Sequence, residues 1–353
     1  MTGEQRLLDL NPLASSQLLA ETHEMADRKA VYDAWRVARH EAMPATDPTL
    51  LARLVKEVTG AAVTQWSRII VGEINEVYRA TLDSGPDVIV RVSRSGRGGF
   101  HSERWVMAAA RAAGVPVPDV LSITDVGDEH GSLLVCIESC LAGRPLHDIE
   151  DVAVREQIAE AAGELTATLH SVEVNGFGFV RADGTSPARS WAQVMEPWPT
   201  DAAAAVAEAH ADTCGVPRSW LHSAAEELAR HAAFFESIDS RLLHGDLCSA
   251  HVMTDGAAVT GFIDFEQAFS GDPTFEFVRW DYFRDDCPLE WLLAGYGRVV
   301  DLGPDLELRI KLGRIRLHLA LVDFYAITDH PLAAAVMRQH FADDAEWFGF
   351  ASV

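Results

Sequence analysis

The sequence predicts an α+β protein in two lobes, a small strand-rich one followed by a larger, mostly helical one, with a helical extension ahead of both. Three observations carry this. Between Gly60 and Leu141, β-branched residues alternate in short runs broken by turn signals. Beyond residue 142, stretches rich in Ala, Leu and Glu take over, and the 353-residue length suits two lobes or domains. The boundaries expected are residues 1–60 for the extension, 61–141 for the small lobe and 142–353 for the large one.

Residues 14–43 mix Leu18, Leu19, Met25, Val31, Trp35 and Val37 with charged residues and hold no internal Pro or Gly, which predicts a helix ended by Pro44. Asp47 then caps a second helix with Pro48 at its first position. Leu50, Leu51, Leu54, Val55 and Val58 give it one apolar face, and Gly60 closes it. Trp66 to Leu82 and Asp87 to Val92 read as three antiparallel strands, joined at Gly72 to Glu76 and at the turn Asp83-Ser84-Gly85-Pro86. A helix follows over about 102–113, ended by Gly114 with Pro116 and Pro118 beyond, and then strands over 120–126 and 133–138. Ala142-Gly143-Arg144-Pro145 reads as a hinge. Helices are expected over 152–170, 202–210 and 223–235, and again near Thr274, Leu289, Leu306 and His330. They are interrupted by a loop from Arg241 and a hairpin, Val252 to Thr254 and Val259 to Asp264, turning at Asp255-Gly256.

Hydrophobic residues are 48% and charged residues 23%, which favours a packed core over disorder. No apolar run approaches the roughly 18 residues that cross a bilayer, and the N-terminus lacks the basic and apolar pattern of a signal peptide. The five cysteines form no CxxC pair, which fits reduced thiols and a cytoplasmic location. Net charge is −24. That argues against nucleic acid and anionic membrane as partners, because phosphate backbones need a basic face. The same acidity would attract a polycationic small molecule, and solubility alone would also account for it.

Chemistry concentrates in His244-Gly245-Asp246-Leu247-Cys248-Ser249-Ala250-His251, followed by Gly261-Phe262-Ile263-Asp264-Phe265-Glu266. The protein-kinase catalytic loop reads H-R-D-x-x-x-x-N and is followed by D-F-G. Here the spacing is kept, with Gly245 for Arg, His251 for Asn and Glu266 for the last Gly. Phosphoryl transfer needs a carboxylate that orients the attacking hydroxyl and side chains that hold metal ions on the phosphates. Asp246 is the catalytic candidate, and Asp264 the metal carboxylate. His251 stands where a hard oxygen donor is usual. It could bind metal through nitrogen or through water, leave Asp264 as the main metal ligand, or be structural in a weakly active protein. His244 and Asp272 are expected to brace the loop, with Glu276 capping or pairing nearby. In Val88-Ile89-Val90-Arg91-Val92 a lone cation sits in an apolar strand, where it needs an anion; Glu103 is the expected partner. Gly72 and Asn75 belong to a short turn over the expected phosphate position. Glu138 and Cys140 flank the backbone that would meet the nucleotide base, and Asp281, Asp285 and Asp286 are candidate acceptor-binding carboxylates.

With these residues in view, the chain resembles the aminoglycoside phosphotransferase family, kinase-like enzymes that include macrolide, hygromycin and viomycin phosphotransferases. The matching segments are Gly72 to Tyr78, Val90-Arg91-Val92, Glu103-Arg104-Trp105, Gly114 to Pro118, Ala142 to Leu146, His244 to Val252 and Ile263 to Pro273, in order over about residues 65–280. The resemblance implies a bilobal protein-kinase-like fold and transfer of phosphate from ATP or GTP, with Mg2+, to a hydroxyl of a small molecule, an aminoglycoside-like antibiotic first among them. It carries the catalytic Asp to Asp246, the metal carboxylate to Asp264, the phosphate-binding base to Arg91 and its helix carboxylate to Glu103; the Asn ligand maps to His251 in position only. The family often has Asp where this chain has Glu276. A metabolic small-molecule kinase of choline, homoserine or fructosamine type shares the same phosphate motifs, and a nucleotide-binding protein without turnover is the remaining alternative.

Overall fold

The computed structural model describes the chain except residues 1–30, 32–33, 36, 40, 42–44, 71–74, 95–98, 129–130, 199, 283–286, 329–332 and 351–353. Of the helix expected over 14–43, described residues 31, 34, 35, 37–39 and 41 are helical, and the rest lies outside the described residues. By contacts the chain forms two compact units, Met43–Val194 with Phe234–Ile310, and Met1–Ala42 with Met195–Ala233 and Lys311–Val353.

In the first unit, helix α1 (Pro48–Thr59) starts where the sequence requires. Asp47 Oδ1 accepts the Thr49 N–H at 2.8 Å, Pro48 fills the first turn, and Gly60 ends the helix at φ 76°. Five antiparallel strands follow: β1 (Val63–Ile69), β2 (Glu76–Leu82), β3 (Val88–Ser93), β4 (Val120–Asp128) and β5 (Gly131–Ser139), in the spatial order β1-β2-β3-β5-β4. Strand β3 therefore lies inside the sheet, paired with β2 and β5. Its two-residue period sends Val88, Val90 and Val92 into one core with Leu51, Leu54 and Val55 of α1 and Leu133, Val135 and Ile137 of β5. Burying each such side chain is worth about 1.5–3 kcal/mol. The same alternation turns Arg91 to the opposite face, toward helix α2 (Phe100–Ala113).

Val106, Met107 and Ala110 of α2 belong to a second core with Ile158, Ala159 and Ala162 of α3 (Val152–Leu169) and with Phe262 and Phe265. Helix α3 packs closely on the helix Leu289–Tyr296; a Cβ on Gly295 would lie 1.7 Å from the Glu160 carbonyl oxygen, so this contact admits only glycine. Two three-stranded sheets carry the loop that follows. One joins Arg144–Pro145 to the hairpin strands Val252–Thr254 and Val259–Phe262, so the expected hinge is itself paired. The other joins Gly178–Phe179, Phe269–Gly271 and Arg241–Leu243, strands too short to show a period in sequence.

The second unit contains the helices Asp201–Cys214, Arg218–Arg230 and Ala333–Phe348 and residues 311–327 of Leu306–Ile327. Its fully buried Asp344 receives Lys311 Nζ and Arg314 Nε at 2.7 Å each and His318 Nε2 at 2.8 Å. Burial works against that carboxylate's charge, but these partners outweigh it and hold its pKa well below the usual range. Among the described residues no helix is long and apolar enough to cross a membrane.

Candidate active site

The interior position of β3 buries Arg91 to 6% side-chain exposure. Its Nη1 donates to Glu103 Oε1 at 2.7 Å and stands 3.8 Å from Glu138 Oε2. Its Nη2 donates to Asp264 Oδ1 at 3.0 Å and also to Glu266. The Phe100 ring lies 5.1 Å from the guanidinium carbon. Glu103, in the first turn of α2, accepts the Phe265 N–H at 2.9 Å as well, so one carboxylate ties the strand cation to the segment after the hairpin. Asn75 donates its side-chain amide to Glu266.

One cation here faces four carboxylates. Burial opposes the Arg91 charge, yet Glu103, Asp264, Glu138 and Glu266 together push its pKa well above the ordinary value. The carboxylates divide unevenly. Burial pushes Glu138 up to about 8; Arg91 opposes this only in part, and Glu103, Asp264 and Glu266 reinforce it. Burial likewise takes Glu266 up to about 7 and raises Glu103, against the pull of Arg91. Asp264 goes the other way: burial disfavours its charge, but Arg91, His251 and His244 lower its pKa. Glu103 Oε2, Glu138 Oε2 and Asn75 Oδ1 are buried without a hydrogen-bond partner. The cluster is short of positive charge and of donors, which is the environment a bound cation would complete.

The loop from His244 to His251 runs between the strand Arg241–Leu243 and the hairpin. Gly245 has φ 80°, and a Cβ there would stand 1.9 Å from the Gln267 carbonyl oxygen, so both backbone shape and space demand glycine. Beneath the loop, fully buried Glu276 accepts the N–H groups of His244 (2.5 Å), Gly245 (3.1 Å) and Leu247 (3.4 Å). Burial disfavours the Glu276 charge, but His170, with Nε2 3.6 Å from Glu276 Oε2, and His244 outweigh it and lower its pKa. His244 is also fully buried; its Nε2 donates to the Ile263 carbonyl at 2.9 Å, and burial lowers its pKa.

Asp246 projects from this loop with its side chain 36% exposed. Its Oδ1 is 3.7 Å from Arg279 Nη2, and Arg279 Nε donates to the Gly245 carbonyl at 2.8 Å. His251 Nδ1 faces the Asp246 backbone carbonyl at 2.7 Å. A carbonyl only accepts, so Nδ1 carries the proton and Nε2 is turned toward Asp264 Oδ2, 3.7 Å away. Burial works against the His251 charge, but Cys248, Asp264 and Asp246 raise its pKa well above the usual value. Asp264 is 41% exposed and has φ 67° and ψ 62°, the only non-glycine residue with positive φ among the described residues. That left-handed backbone costs about 1–3 kcal/mol and is held by the contacts just named. Mg2+ in nucleotide sites takes one or two protein carboxylates and completes its shell with water and phosphate oxygens. Asp264 and His251 offer one oxygen and one nitrogen. No group of three or more acidic, His or Cys side chains placed to hold a metal unaided occurs among the described residues, so the donors fit an ion that arrives with its own oxygens.

The structure thus brings Arg91, Glu103, Glu138, Asn75 and Asp264 into one cluster and sets Asp246, His244 and His251 beside it. Cys140 follows β5 with its thiol 3.5 Å from the Leu141 carbonyl, and burial raises its pKa. Asp281 is partly buried in the helix Thr274–Tyr282, whereas Gly72, Asp285 and Asp286 lie outside the described residues. Asp272, expected to brace the loop, instead caps the following helix at the Thr274 N–H (2.9 Å) and receives Arg309 Nε at 3.1 Å; the bracing carboxylate is Glu276. Two contributors escaped the sequence reading. Glu266 was legible only as a departure from glycine in D-F-G, and Arg279 carries no local signal.

The model of a phosphotransferase enzyme family matches residues 65–301. Hygromycin-B 4-O-kinase from Escherichia coli is 28% identical over 211 residues, 57% of this chain and 57% of that relative, so the match spans little more than half of the relative's length. A thermostable mutant of aminoglycoside phosphotransferase APH(4)-Ia, in ternary complex with AMP-PNP and hygromycin B, superimposes with a TM-score of 0.66 at 21% identity, covering 84% of this chain and 98% of that one. A candidate fructosamine-3-kinase from Thermobifida fusca YX-ER1 gives 0.60 at 18% identity, with 83% and 98% covered. At these identities the structural likeness establishes the fold, the kinase-like α+β fold.

Proposed function

The chain belongs to the phosphotransferase enzyme family, and from that premise we propose that it moves the γ-phosphate of ATP or GTP to a hydroxyl of a small molecule. The observation that supports this most is the meeting of Arg91, Glu103 and Asp264, the first and last 173 positions apart, beside the loop that presents Asp246. In this reading Asp246 accepts a hydrogen bond from the acceptor hydroxyl, orients it and takes its proton as the oxygen bonds to the γ-phosphorus and the bond to the β–γ bridging oxygen breaks, releasing ADP or GDP. Arg91 holds the α- and β-phosphates, with Glu103 fixing the guanidinium. Asp264 and His251 would hold Mg2+. That ion, when bound, neutralises charge on the phosphates. Asn75 and Gly72 belong to the turn over the phosphates, and the backbone near Glu138 and Cys140 meets the base. His244 keeps the loop in shape. The small lobe expected over 61–141 would bind the nucleotide, and the lobe expected over 142–353 would carry the catalytic loop and the acceptor site.

For the acceptor we favour an aminoglycoside-like antibiotic, with resistance as the consequence and the cytoplasm as the location. The relative named hygromycin-B 4-O-kinase supports this, and so does a net charge of −24, which would draw in a polycationic molecule past carboxylates such as Asp281, Asp285 and Asp286. The likeness to a candidate fructosamine-3-kinase supports a second reading, a metabolic small-molecule kinase. A nucleotide-consumption screen with ATP and with GTP, against aminoglycosides, macrolides and sugar amines, separates the two. Asp246→Ala should abolish transfer while nucleotide binding survives; unchanged turnover in that variant would refute the mechanism.

A further inference from the structure

We propose that His251 shifts the metal preference of this site from Mg2+ toward first-row divalent ions that accept an imidazole nitrogen more readily than Mg2+ does, Mn2+ among them. The inference rests on the proposed phosphotransferase function and on His251 and Asp264 as its metal ligands, and it concerns which ion they select.

The geometry fixes which atoms are offered. Asp264 Oδ1 is taken by Arg91 Nη2 at 3.0 Å, which leaves Oδ2 on the side of His251. His251 spends its Nδ1 proton on the Asp246 carbonyl at 2.7 Å, which leaves Nε2 on the side of Asp264, where an entering metal ion would displace the Nε2 proton of the charged ring. The two remaining groups are 3.7 Å apart and face the same space.

The ring is also held in that orientation. It stacks on His244, centroids 5.6 Å apart and planes 14° apart, and His244 is anchored to the Ile263 carbonyl at 2.9 Å. The Ile263 N–H in turn donates to the His251 carbonyl at 3.0 Å, so the backbone of the two ligand-bearing segments is paired. A swing that replaced nitrogen with an oxygen donor at this position would break these contacts. Mg2+ prefers oxygen and gives up water reluctantly, whereas Mn2+ and the later first-row ions bind imidazole more readily. A rigid pair of one carboxylate oxygen and one imidazole nitrogen therefore penalises Mg2+ relative to Mn2+.

The test uses the full-length protein labelled with 15N-histidine, with Mn2+ and ADP, and in parallel with Mn2+ and GDP, followed by pulsed electron paramagnetic resonance. The expected result is a 15N coupling to the bound Mn2+ that disappears in His251→Asn. Calorimetry of ADP and GDP binding with each ion should give a Mn2+-over-Mg2+ preference on the order of tenfold larger in the native protein than in His251→Asn. The native-protein coupling needs no variant to fold, and His251→Gln serves as a second substitution. Nucleotide bound with Mn2+ but without a 15N coupling, or the same ion preference in all three proteins, would overturn this inference and leave the proposed function standing. Failure of both nucleotides to bind with either ion would overturn the two together.

Discussion

Glu276→Gln tests the strut beneath the loop that presents Asp246. The native carboxylate is fully buried, and its two oxygens take the N–H groups of His244, Gly245 and Leu247 at 2.5, 3.1 and 3.4 Å. Glutamine keeps the volume and one acceptor oxygen but places an NH2 group where the other oxygen stood, and NH2 cannot accept from a backbone N–H. Whichever way the amide turns, at least one buried N–H faces a donor. The lost bond to a charged acceptor is worth about 1.5–3 kcal/mol, and a buried N–H left unmade costs roughly 1–3 kcal/mol. These terms overlap, so the expected loss is about 3 kcal/mol. In a domain of roughly 150–250 residues that lowers Tm by about 6–12 °C. A loop carrying a misplaced Asp246 should also lose on the order of 100-fold in kcat. Nucleotide affinity should hold, because the contacts around Arg91 do not pass through Glu276. Scanning calorimetry, turnover and nucleotide titration read the three quantities separately. Glu276→Asp, which keeps the charge, should recover part of the loss. A Glu276→Gln protein with native Tm and native kcat would refute the reasoning.

Arg91→Met should remove the one cation that faces Glu103, Glu138, Asp264 and Glu266, at a cost of about 3–5 kcal/mol because the buried charges are left uncompensated. Urea denaturation checks this, and calorimetry should find nucleotide binding lost; retained binding would take Arg91 out of the site. The pH dependence follows from Glu138 at about 8 and Glu266 at about 7, both above their ordinary value of 4.5. Between 4.5 and those values the folded protein holds protons that the unfolded chain releases. Their contribution to stability is therefore complete below the unfolded pKa and is lost as pH rises through about 7 to 8. The nucleotide-free protein should have a falling urea midpoint across that window, and Glu138→Gln should flatten the fall; a midpoint that rises there would contradict the assignment.

The parts of this molecule that sequence reveals are those whose physics is local. Asp47, Pro48 and Gly60 mark the ends of α1 by capping and backbone preference alone, and the structure puts the helix between them. The Arg91–Glu103 pair was legible for a related reason: a cation in an apolar strand must find an anion, and the nearest helix offers one. What sequence hid depends on chain reversal. Asp264 reads as the end of a strand, but the strand stops at Phe262 and Asp264 adopts a left-handed backbone, which sends Glu266 back to Arg91, 175 positions away. No periodicity encodes that turn. Sequence assigns the loop to Asp272 and a cap or pairing role to Glu276, and local preference reverses them: Asp272 is spent on the Thr274 N–H two residues on, and Glu276 reaches the loop.

The surplus of negative charge around Arg91 bears on how such a site can work at all. Phosphates entering a pocket with one cation and four carboxylates would meet net repulsion, and only Asp264 among the four has its pKa held below the ordinary range. Protonation of Glu138 and Glu266 relieves part of that repulsion, and a divalent ion beside Asp264 relieves more. Nucleotide and ion then have reason to arrive as one unit, the ion offsetting both the phosphates and the carboxylates the protein leaves unbalanced. The strain held at Asp264 has a place in the same account. Its left-handed backbone divides the carboxylate, Oδ1 to Arg91 and Oδ2 toward His251, so one residue joins the strand cation to the loop that presents Asp246. A relaxed strand end would align Asp264 with the hairpin and sever that connection.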